Sequence, residues 1–269
     1  MSDAAEMYNE MQSRPASLIE MLNNHLPAIN EESNKERDNT YFHPSTIGFC
    51  SRKIAYIMHE FPAPDLDPRV IRIFENGHSM HERFENWFDS MGIQIAAEVE
   101  LSPDSPDQAI AERCRELDIR GKTDSLIEIG GEYYLVELKS ANDRMFKNFL
   151  QEPKEQHVEQ LQLYMYLSGV HQGFLLYENK NDQSLKEFLI EYDEEMVNRL
   201  REKILNVNEH VNNNTLPERE FTRSHWQCKY CDFSGICWYP DSENVEELFR
   251  QASGGDEELL NFYMEVNRT

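Results

Sequence analysis

The sequence predicts an α/β protein in which a central mixed sheet of about five strands is flanked by helices. Two apolar, β-branched and aromatic runs within residues 121–140 surround Gly130-Gly131, a pattern typical of a hairpin with a two-residue turn. A second pair of such runs, GFLLYENK and SLKEFLIEY, follows further along the chain. Amphipathic helical patterns stand between and around these strand pairs. Helices that alternate with strands in this way pack on the faces of a sheet.

Length and composition bound the fold. The chain has 269 residues and 39% hydrophobic residues, enough for one large domain or two small ones. No apolar run reaches the length of a membrane span, and the N-terminus lacks the basic and apolar regions of a secretory signal. We therefore expect a soluble, cytoplasmic protein that does not bind membranes.

The net charge of −24 limits how the protein could bind nucleic acid. Lys and Arg contacts to phosphate dominate such binding, so the charge argues against a broad basic surface. A solubilising acidic surface or adaptation to a salty cytoplasm would explain it equally. Any nucleic-acid site must therefore be a local basic cleft or depend on metal ions.

The chain is predicted to have three parts. Residues 1–40 form a polar, helical N-terminal extension, residues 41–240 form the core, and residues 241–269 form an acidic helical tail. Within the core, a helix is predicted to begin near Pro44. A longer one follows over Pro68 to Met91, whose apolar stripe is expected to be buried and consists of Met80, Phe84, Trp87, Phe88 and Met91.

The hairpin of residues 121–140 brings acidic side chains together. A two-residue turn at Gly130-Gly131 fixes the register and places Asp124 opposite Glu137. Lys139 lies two residues further on and so shares their face. Facing carboxylates repel each other, and a divalent cation would turn that repulsion into coordination. The alternative is a solvated, charged hairpin face without chemistry.

Other polar residues are predicted to lie near this hairpin. Residues 93–101 alternate as one strand, on which Glu98 is a possible further acid. Gln160 and Tyr164 are four residues apart on a helix predicted over 157–169, and so share a face. On the earlier helix, His78 pairs with Glu82 and His81 pairs with Glu85 at the same spacing. A histidine at such a helix border is more often structural than a ligand.

Three of the five cysteines cluster near the C-terminus, as Cys228-x2-Cys231-x5-Cys237. An odd number of cysteines without a secretory signal argues against a disulfide framework and favours metal ligation. With Cys50 as a distant fourth ligand, the spacing is compatible with zinc and fits a Cys₄ iron–sulfur cluster at least as well. Cys114 has no partner in this scheme and is expected to be a small buried hydrophobe.

The order of these residues resembles the RecB-type branch of the PD-(D/E)XK nuclease superfamily. The motifs are Cys50, His78, Asp124, Glu137-Leu138-Lys139, Gln160 with Tyr164, and the C-terminal cysteines. They look like those of the iron–sulfur exonucleases related to the AddB nuclease domain and the CRISPR-associated RecB-like exonucleases, and they span residues 44 to 238. The resemblance implies a restriction-endonuclease-like core with a helical, Cys-rich iron–sulfur portion. The strong acidity departs from what a DNA-processing enzyme usually shows.

The resemblance also implies roles for single residues. Asp124, Glu137, the backbone carbonyl of Leu138 and His78 would hold Mg²⁺ or Mn²⁺, and an imidazole ligand favours Mn²⁺. Lys139 would orient the attacking water or neutralise charge in the transition state.

Three further implications concern the remaining motifs and the function. Gln160 and Tyr164 would position substrate or nucleophile. The four cysteines, Cys50, Cys228, Cys231 and Cys237, would hold a [4Fe–4S] cluster, with Zn²⁺ as the alternative.

The expected function is metal-dependent exonuclease action on DNA, at single strands or free ends. The alternatives are a catalytically silent nucleic-acid-binding or scaffold protein and a zinc-stabilised interaction module. Cleavage polarity, the choice between DNA and RNA, and the pathway stay open.

Overall fold

The structure is a computed structural model that describes residues 17–34, 38–149 and 151–269. Part of the N-terminal extension predicted over residues 1–40 therefore lies outside the described residues. The helices are α1 (Leu18–Asn34), α2 (Ser51–Met58), α3 (Pro68–Ser90), α4 (Gln108–Glu116), α5 (Asp143–Phe149), α6 (Glu155–Ser168), α7 (Glu194–Asn212), α8 (Trp226–Lys229), α9 (Ser234–Trp238), α10 (Glu243–Ala252) and α11 (Glu257–Val266).

The strands form the mixed sheet that the sequence predicts. They are β1 (Gln94–Ala97), β2 (Glu100–Leu101), β3 (Gly121–Lys122), β4 (Ser125–Ile129), β5 (Glu132–Ala141), β6 (Gln172–Asn179) and β7 (Leu185–Glu191). Five of them make one sheet in the order β1-β4-β5-β6-β7, while β2 and β3 pair separately. Within the large sheet only β5 and β6 are parallel. Helices α5 and α6 lie between these two strands in the chain and make the crossover that a parallel pair requires.

The chain divides into two compact units. One contains the described residues up to Asp38 together with Asp65–Asn76, and within it Arg72 donates to Asn23 at 2.8 Å. The other contains Asn39–Pro64 and Gly77–Thr269, and it carries both sheets and every residue discussed below. The predicted division at residues 41, 240 and 241 stays a prediction. Phe249 and Tyr263 of the acidic tail are buried in the main hydrophobic core of the second unit.

Both faces of the large sheet are covered by apolar side chains. On one face, α6 supplies Leu161 and Met165 to the main core, which also contains Leu135 and Leu175 of the sheet. On the other face, α3 packs Met80, Phe84 and Phe88 against sheet side chains, namely Ile127, Val136 and Leu138. A parallel pair of strands in the middle of a sheet is typically buried on both sides in this way.

Three sequence predictions require correction. The strand predicted over 93–101 is two strands, because Glu98 adopts a φ of +47° and breaks the extended run between β1 and β2. The helix predicted to begin near Pro44 begins at Ser51, after a short 3₁₀ turn at Pro44–Thr46. Cys50 stands before that helix as its N-cap, with its sulfur 3.4 Å from the Lys53 N–H.

The third correction concerns the stripe on α3. Trp87 and Met91 are 45% and 64% exposed, whereas Met80, Phe84 and Phe88 are buried. The buried residues are spaced by four and form one row on the helix, and the other two lie beside that row and at the helix end. Among the described residues, none of the helices combines the length and apolar content needed to cross a membrane.

Candidate active site

The β4–β5 hairpin forms with the register that the sequence predicts. Ser125 pairs with Val136 and Ile129 pairs with Glu132, and the turn residues Gly130 and Gly131 have φ values of +64° and +90°. Positive φ at both central positions is the requirement of a type I′ hairpin turn, which glycine meets without strain. The next pair beyond Ser125 in this register joins Asp124 to Glu137.

Glu137 and Lys139 are held by a chain of contacts that reaches helix α6. The Lys139 ammonium lies 2.5 Å from Glu137 Oε1 and donates to Gln160 Oε1 at 3.1 Å. The Gln160 amide in turn donates to the Tyr164 hydroxyl at 3.1 Å. The predicted face of Gln160 and Tyr164 on this helix is therefore directed at the lysine of the hairpin.

Asp124 is held by one backbone and one side-chain contact. Its Oδ2 accepts the Leu138 N–H at 2.6 Å, and its Oδ1 lies 3.3 Å from His81 Nδ1. Burial alone would lower the pKa of His81, but the hydrogen bond and the charge of Asp124 raise it above the ordinary value. The imidazole of His81 is thus held toward its charged form beside the carboxylate.

Burial and charge shift the proton affinities of the central pair. Glu137 is 2% exposed, and burial together with repulsion from Asp124 raises its pKa to about 7, against the attraction of Lys139. Burial would lower the pKa of Lys139, but attraction to Glu137 and Asp124 raises it. A carboxyl group that titrates near neutral pH next to a charged lysine is a recurrent feature of functional sites.

One atom of this arrangement has no partner. Glu137 Oε2 is buried and accepts no hydrogen bond. An unpaired buried carboxylate oxygen is costly, and one that lies beside a second carboxylate suits a hard divalent cation. In the described part of the chain, no three His, Cys, Asp or Glu side chains are yet grouped closely enough to hold a metal ion. Lys139 and His81 instead face the two carboxylates.

His78 is placed less centrally than the sequence predicts. It is exposed on α3, one helical turn before His81, and the imidazole that contacts Asp124 is that of His81. The role of His78 as a metal ligand stays a prediction. Glu98, the further acid considered in the sequence, pairs with Lys122 at 3.0 Å on the surface.

His157 is a polar residue of the site that the sequence motifs did not indicate. Its Nδ1 lies 2.7 Å from the Tyr177 hydroxyl, and burial together with the charges of Lys139 and Lys154 lowers its pKa to about 3. His157 precedes Gln160 by three residues and Tyr164 by seven, so the helical spacing of α6 could have identified it.

The four cysteines of the predicted cluster line one cavity of about 250 Å³. Burial raises the pKa of Cys50 to about 11, and burial also raises the pKa of Cys231. A thiol in such a place becomes a thiolate when a metal centre stabilises the charge. The four thiols have the donor chemistry for such a centre, but among the described residues no three of these side chains are close enough together to hold a metal ion. Cys114 is fully buried in the hydrophobic core, as predicted.

Comparison with protein families matches residues 50–238 to the PD-(D/E)XK nuclease superfamily. A curated relative is the CRISPR-associated exonuclease Cas4 of Saccharolobus solfataricus, which is 30% identical over 120 residues. That alignment covers 44% of this chain and 52% of the relative, so the chain spans about half the length of the curated protein it matches.

Two solved structures resemble this chain to different degrees. The crystal structure of SSO0001 superposes with a TM-score of 0.53 at 21% identity, covering 81% of this chain and 96% of the other. An alkaline exonuclease from Laribacter hongkongensis gives a TM-score of 0.47 at 14% identity, covering 68% and 93%. The first likeness supports the fold alone.

Proposed function

Because this chain belongs to the PD-(D/E)XK nuclease superfamily, we propose that it is a metal-dependent exonuclease that hydrolyses phosphodiester bonds of DNA. The observation that carries the proposal is the convergence of Asp124, Glu137 and Lys139, with Glu137 Oε2 buried and unpaired. A purely structural hairpin would have no need for two carboxylates and a lysine at one buried point.

Several residues of this chain would have separate roles in phosphodiester hydrolysis. Lys139, held between Glu137 and Gln160, is positioned to orient an attacking water or to neutralise charge that develops on the phosphate. Gln160 and Tyr164 keep the ammonium aligned from α6. His81 orients the Asp124 carboxylate through its Oδ1.

Asp124 and Glu137 would hold the divalent cation, with the Leu138 carbonyl and His78 as the further ligands that the resemblance implies. Mg²⁺ or Mn²⁺ bound there would supply Lewis-acid stabilisation of the negative charge on the phosphoryl group. The buried Glu137 must be ionised to bind a cation, so affinity for Mn²⁺ should rise as the pH increases through about 7.

The expected substrate is DNA, taken from the ends of single strands. The acidic chain has no general attraction for a duplex, so a substrate must enter locally, where Lys139 and Lys154 concentrate positive charge. The relative from Saccharolobus solfataricus is itself named an exonuclease.

For the cysteine cavity we propose a [4Fe–4S] cluster bound by Cys50, Cys228, Cys231 and Cys237. Support comes from four thiols at one cavity and from their spacing, a single Cys-x2-Cys pair and two separate cysteines. Zn²⁺ is the alternative, and iron and zinc analysis of anaerobically purified protein separates the two.

A nuclease assay on end-labelled single- and double-stranded DNA, with and without Mn²⁺, tests the activity. We expect shortening of the single strand from an end only when Mn²⁺ is present. Glu137→Ala and Asp124→Ala should each abolish cleavage, because each removes a charged ligand. Near-normal cleavage by Glu137→Ala would contradict the proposal.

Lys139→Ala separates metal binding from chemistry. It should stop cleavage while Mn²⁺ binding, measured by calorimetry, stays largely intact, because a protonated lysine is a poor ligand. If the native protein binds single-stranded DNA but cleaves no DNA in any metal, the catalytically silent nucleic-acid-binding alternative is correct.

A further inference from the structure

The segment from Arg219 to Cys231 differs in character from the rest of the chain. It contains three basic residues and one acidic residue, whereas acidic residues outnumber basic ones by 50 to 26 in the whole protein. Aromatic side chains are interleaved with the basic ones, namely Phe221, His225, Trp226 and Tyr230. The nuclease chemistry proposed above uses none of these side chains.

Two large aromatic side chains of this segment are exposed, and so is Phe49, which lines the same cavity. Trp226 is 59% exposed, Tyr230 is 83% exposed and Phe49 is 37% exposed. We call Phe49, Trp226 and Tyr230 the aromatic ridge. Large aromatic side chains are normally much more buried, and exposed ones grouped together mark a binding surface.

The ridge stands between two cavities of the second unit. Phe49 and Trp226 line both the cysteine cavity and a second cavity of about 730 Å³, which no cysteine lines. Tyr230 lines the cysteine cavity and projects from the Cys228-x2-Cys231 pair. Since Tyr230 is mostly exposed, packing around the cysteines does not account for it.

Lysine residues lie beside the ridge and between the ridge and the candidate active site. Lys229 is exposed beside Tyr230, whereas the Lys53 ammonium, 4.2 Å from the centre of the Phe49 ring, is already paired with Asp232 at 3.0 Å. Lys154 lines both cavities, its backbone N–H donates to the Tyr177 hydroxyl at 3.3 Å, and Tyr177 is the strand partner of Lys139. Lys154 therefore connects the ridge to the catalytic lysine.

Acidic groups are also present, and they limit what this surface can bind. Glu155, Glu159 and Glu220 line the larger cavity, although Glu220 is engaged by the Ser51 N–H at 2.7 Å. The Lys203 ammonium is engaged by the carbonyls of Ile47 and Phe49, each at 2.7 Å. Few cations remain for phosphate contacts, so a ligand here must gain its affinity from the rings.

We propose that the aromatic ridge is a stacking platform for the unpaired bases of a single-stranded nucleic acid on its way to Glu137 and Lys139. Bases stack on exposed aromatic side chains without regard to sequence, and nearby cations follow the backbone. A duplex keeps its bases stacked on one another and offers no free faces. The inference deepens the proposed nuclease function and rests on it for the direction of the strand.

Tryptophan fluorescence locates the contact directly, because a stacked base quenches an indole. The protein has three tryptophans, and Trp87 on α3 is a second exposed one, at 45%. We would titrate the 269-residue protein with unlabelled oligo(dT), in EDTA so that no cleavage occurs. Quenching should be seen in the native protein and in Trp87→Phe, and should be largely lost in Trp226→Phe.

Affinity is measured with a second pair of variants, using the anisotropy of fluorescein-labelled oligo(dT). Tyr230 is so exposed that Tyr230→Leu should fold normally, and Tyr133→Leu is the matched control, since Tyr133 is 49% exposed on β5. Tyr230→Leu should weaken binding at least about fivefold, and the control should leave it unchanged. Raising the salt from about 50 to about 200 mM should weaken binding only about tenfold or less, because few phosphates are contacted.

Each result decides between definite alternatives. Unchanged quenching in Trp226→Phe overturns the proposal, and so does unchanged affinity in Tyr230→Leu or equal affinity for a duplex of the same length. Active cleavage with normal binding by the ridge variants would refute the platform and leave the nuclease function standing. Quenching by oligo(dT) in a protein that cleaves nothing would refute the nuclease function and leave the platform standing.

Discussion

Glu137 carries a large electrostatic cost in the folded protein. It is 2% exposed, faces a second carboxylate, and keeps one oxygen without a hydrogen bond. Its pKa in the folded protein, about 7, is higher than the ordinary value of 4.5. The folded state therefore binds the proton more tightly than the unfolded state does.

The pH dependence of stability follows from this shift. Without divalent metal, ionising Glu137 should lower the free energy of unfolding as the pH rises from 4.5 to about 7. Glu137→Gln removes the ionisation, so the variant should have a higher Tm than the native protein at pH 8, and this advantage should shrink at pH 4.5. Thermal unfolding in EDTA at the two pH values measures it.

Two controls accompany that measurement. Glu132→Gln changes an exposed carboxylate at the start of the same strand and should not reproduce the gain in Tm at pH 8. Added Mn²⁺ should raise the Tm of the native protein and have little effect on Glu137→Gln. A Tm difference between native and Glu137→Gln protein that is the same at both pH values would show that Glu137 is not held in its protonated form.

Replacing His78 and replacing His81 on α3 should change the cleavage kinetics in different ways. His78→Ala should raise the Mn²⁺ concentration needed for half-maximal cleavage, because it removes the predicted ligand. His81→Ala should lower kcat and shift the pH profile, because it removes the group that orients Asp124. Cleavage rates measured across Mn²⁺ concentration and pH distinguish the two. Identical effects of both variants would contradict this division of roles.

At the scale of the element, the hairpin turn decides whether the carboxylates face each other. Gly130 and Gly131 both adopt positive φ, where a side chain costs about 1–2 kcal/mol. The turn holds the register and contributes no chemistry. A change there should lower stability first and alter activity only as far as the protein unfolds.

Gly131→Ala and Gly77→Ala form a matched pair that tests this view. A methyl group at either position would meet no atom within 4 Å, so only the backbone conformation differs. Gly131→Ala should lower the free energy of unfolding by about 1–2 kcal/mol. Gly77→Ala, inside α3, should raise it by about 0.5–1 kcal/mol. Chemical denaturation measures both, and equal effects would mean that the turn is not under conformational constraint.

Helix α6 is the second element on which the site depends. It begins next to Lys154, carries His157, Gln160 and Tyr164 along one face, and ends at Gly169, whose φ is +80°. Gln160 of this row contacts Lys139 of the hairpin, and Lys154 before the helix lines the same cavities as Phe49 and Trp226. One helix thus positions both the chemistry and the proposed path of the strand.

For the whole molecule, α2 joins segments that are far apart in sequence. The Ser51 N–H donates to Glu220 at 2.7 Å, Arg52 donates to the Pro217 carbonyl at 2.8 Å, and the Tyr56 hydroxyl donates to Asn267 at 2.7 Å. Cys50 stands at the start of this helix and lines the cavity shared with the C-terminal cysteines. A metal centre there would close a loop of nearly the whole second unit.

Replacing single cysteines tests that link. Cys50→Ser should bleach the brown colour of anaerobically purified protein, reduce its iron content and lower its Tm, because the metal joins distant segments. Cys114→Ser should change neither colour nor iron content, since Cys114 lies in the hydrophobic core. Visible absorbance and iron analysis measure both. Stoichiometric zinc without iron in the native protein would favour the zinc alternative.

The strands, the hairpin register and one helix face could be predicted from the sequence, because each depends on residues close together in the chain. A two-residue glycine turn fixes which strand positions face each other, so the register that places Asp124 opposite Glu137 followed from residues 121–140 alone. Helical spacing likewise put Gln160 and Tyr164 on one face. The mixed sheet of five strands and its two hairpins were predicted on the same local basis.

Only the tertiary structure decided how separate elements meet. The packing of Met80, Phe84 and Phe88 on the sheet sets the rotation of α3, which is why His81 contacts Asp124. The parallel pairing of β5 with β6 and the position of α6 bring Gln160 to Lys139 and His157 to Tyr177. The break at Glu98 has the same origin, because the strand there divides between two sheets. Such contacts depend on how whole surfaces fit together, and no sequence spacing within one element encodes that fit.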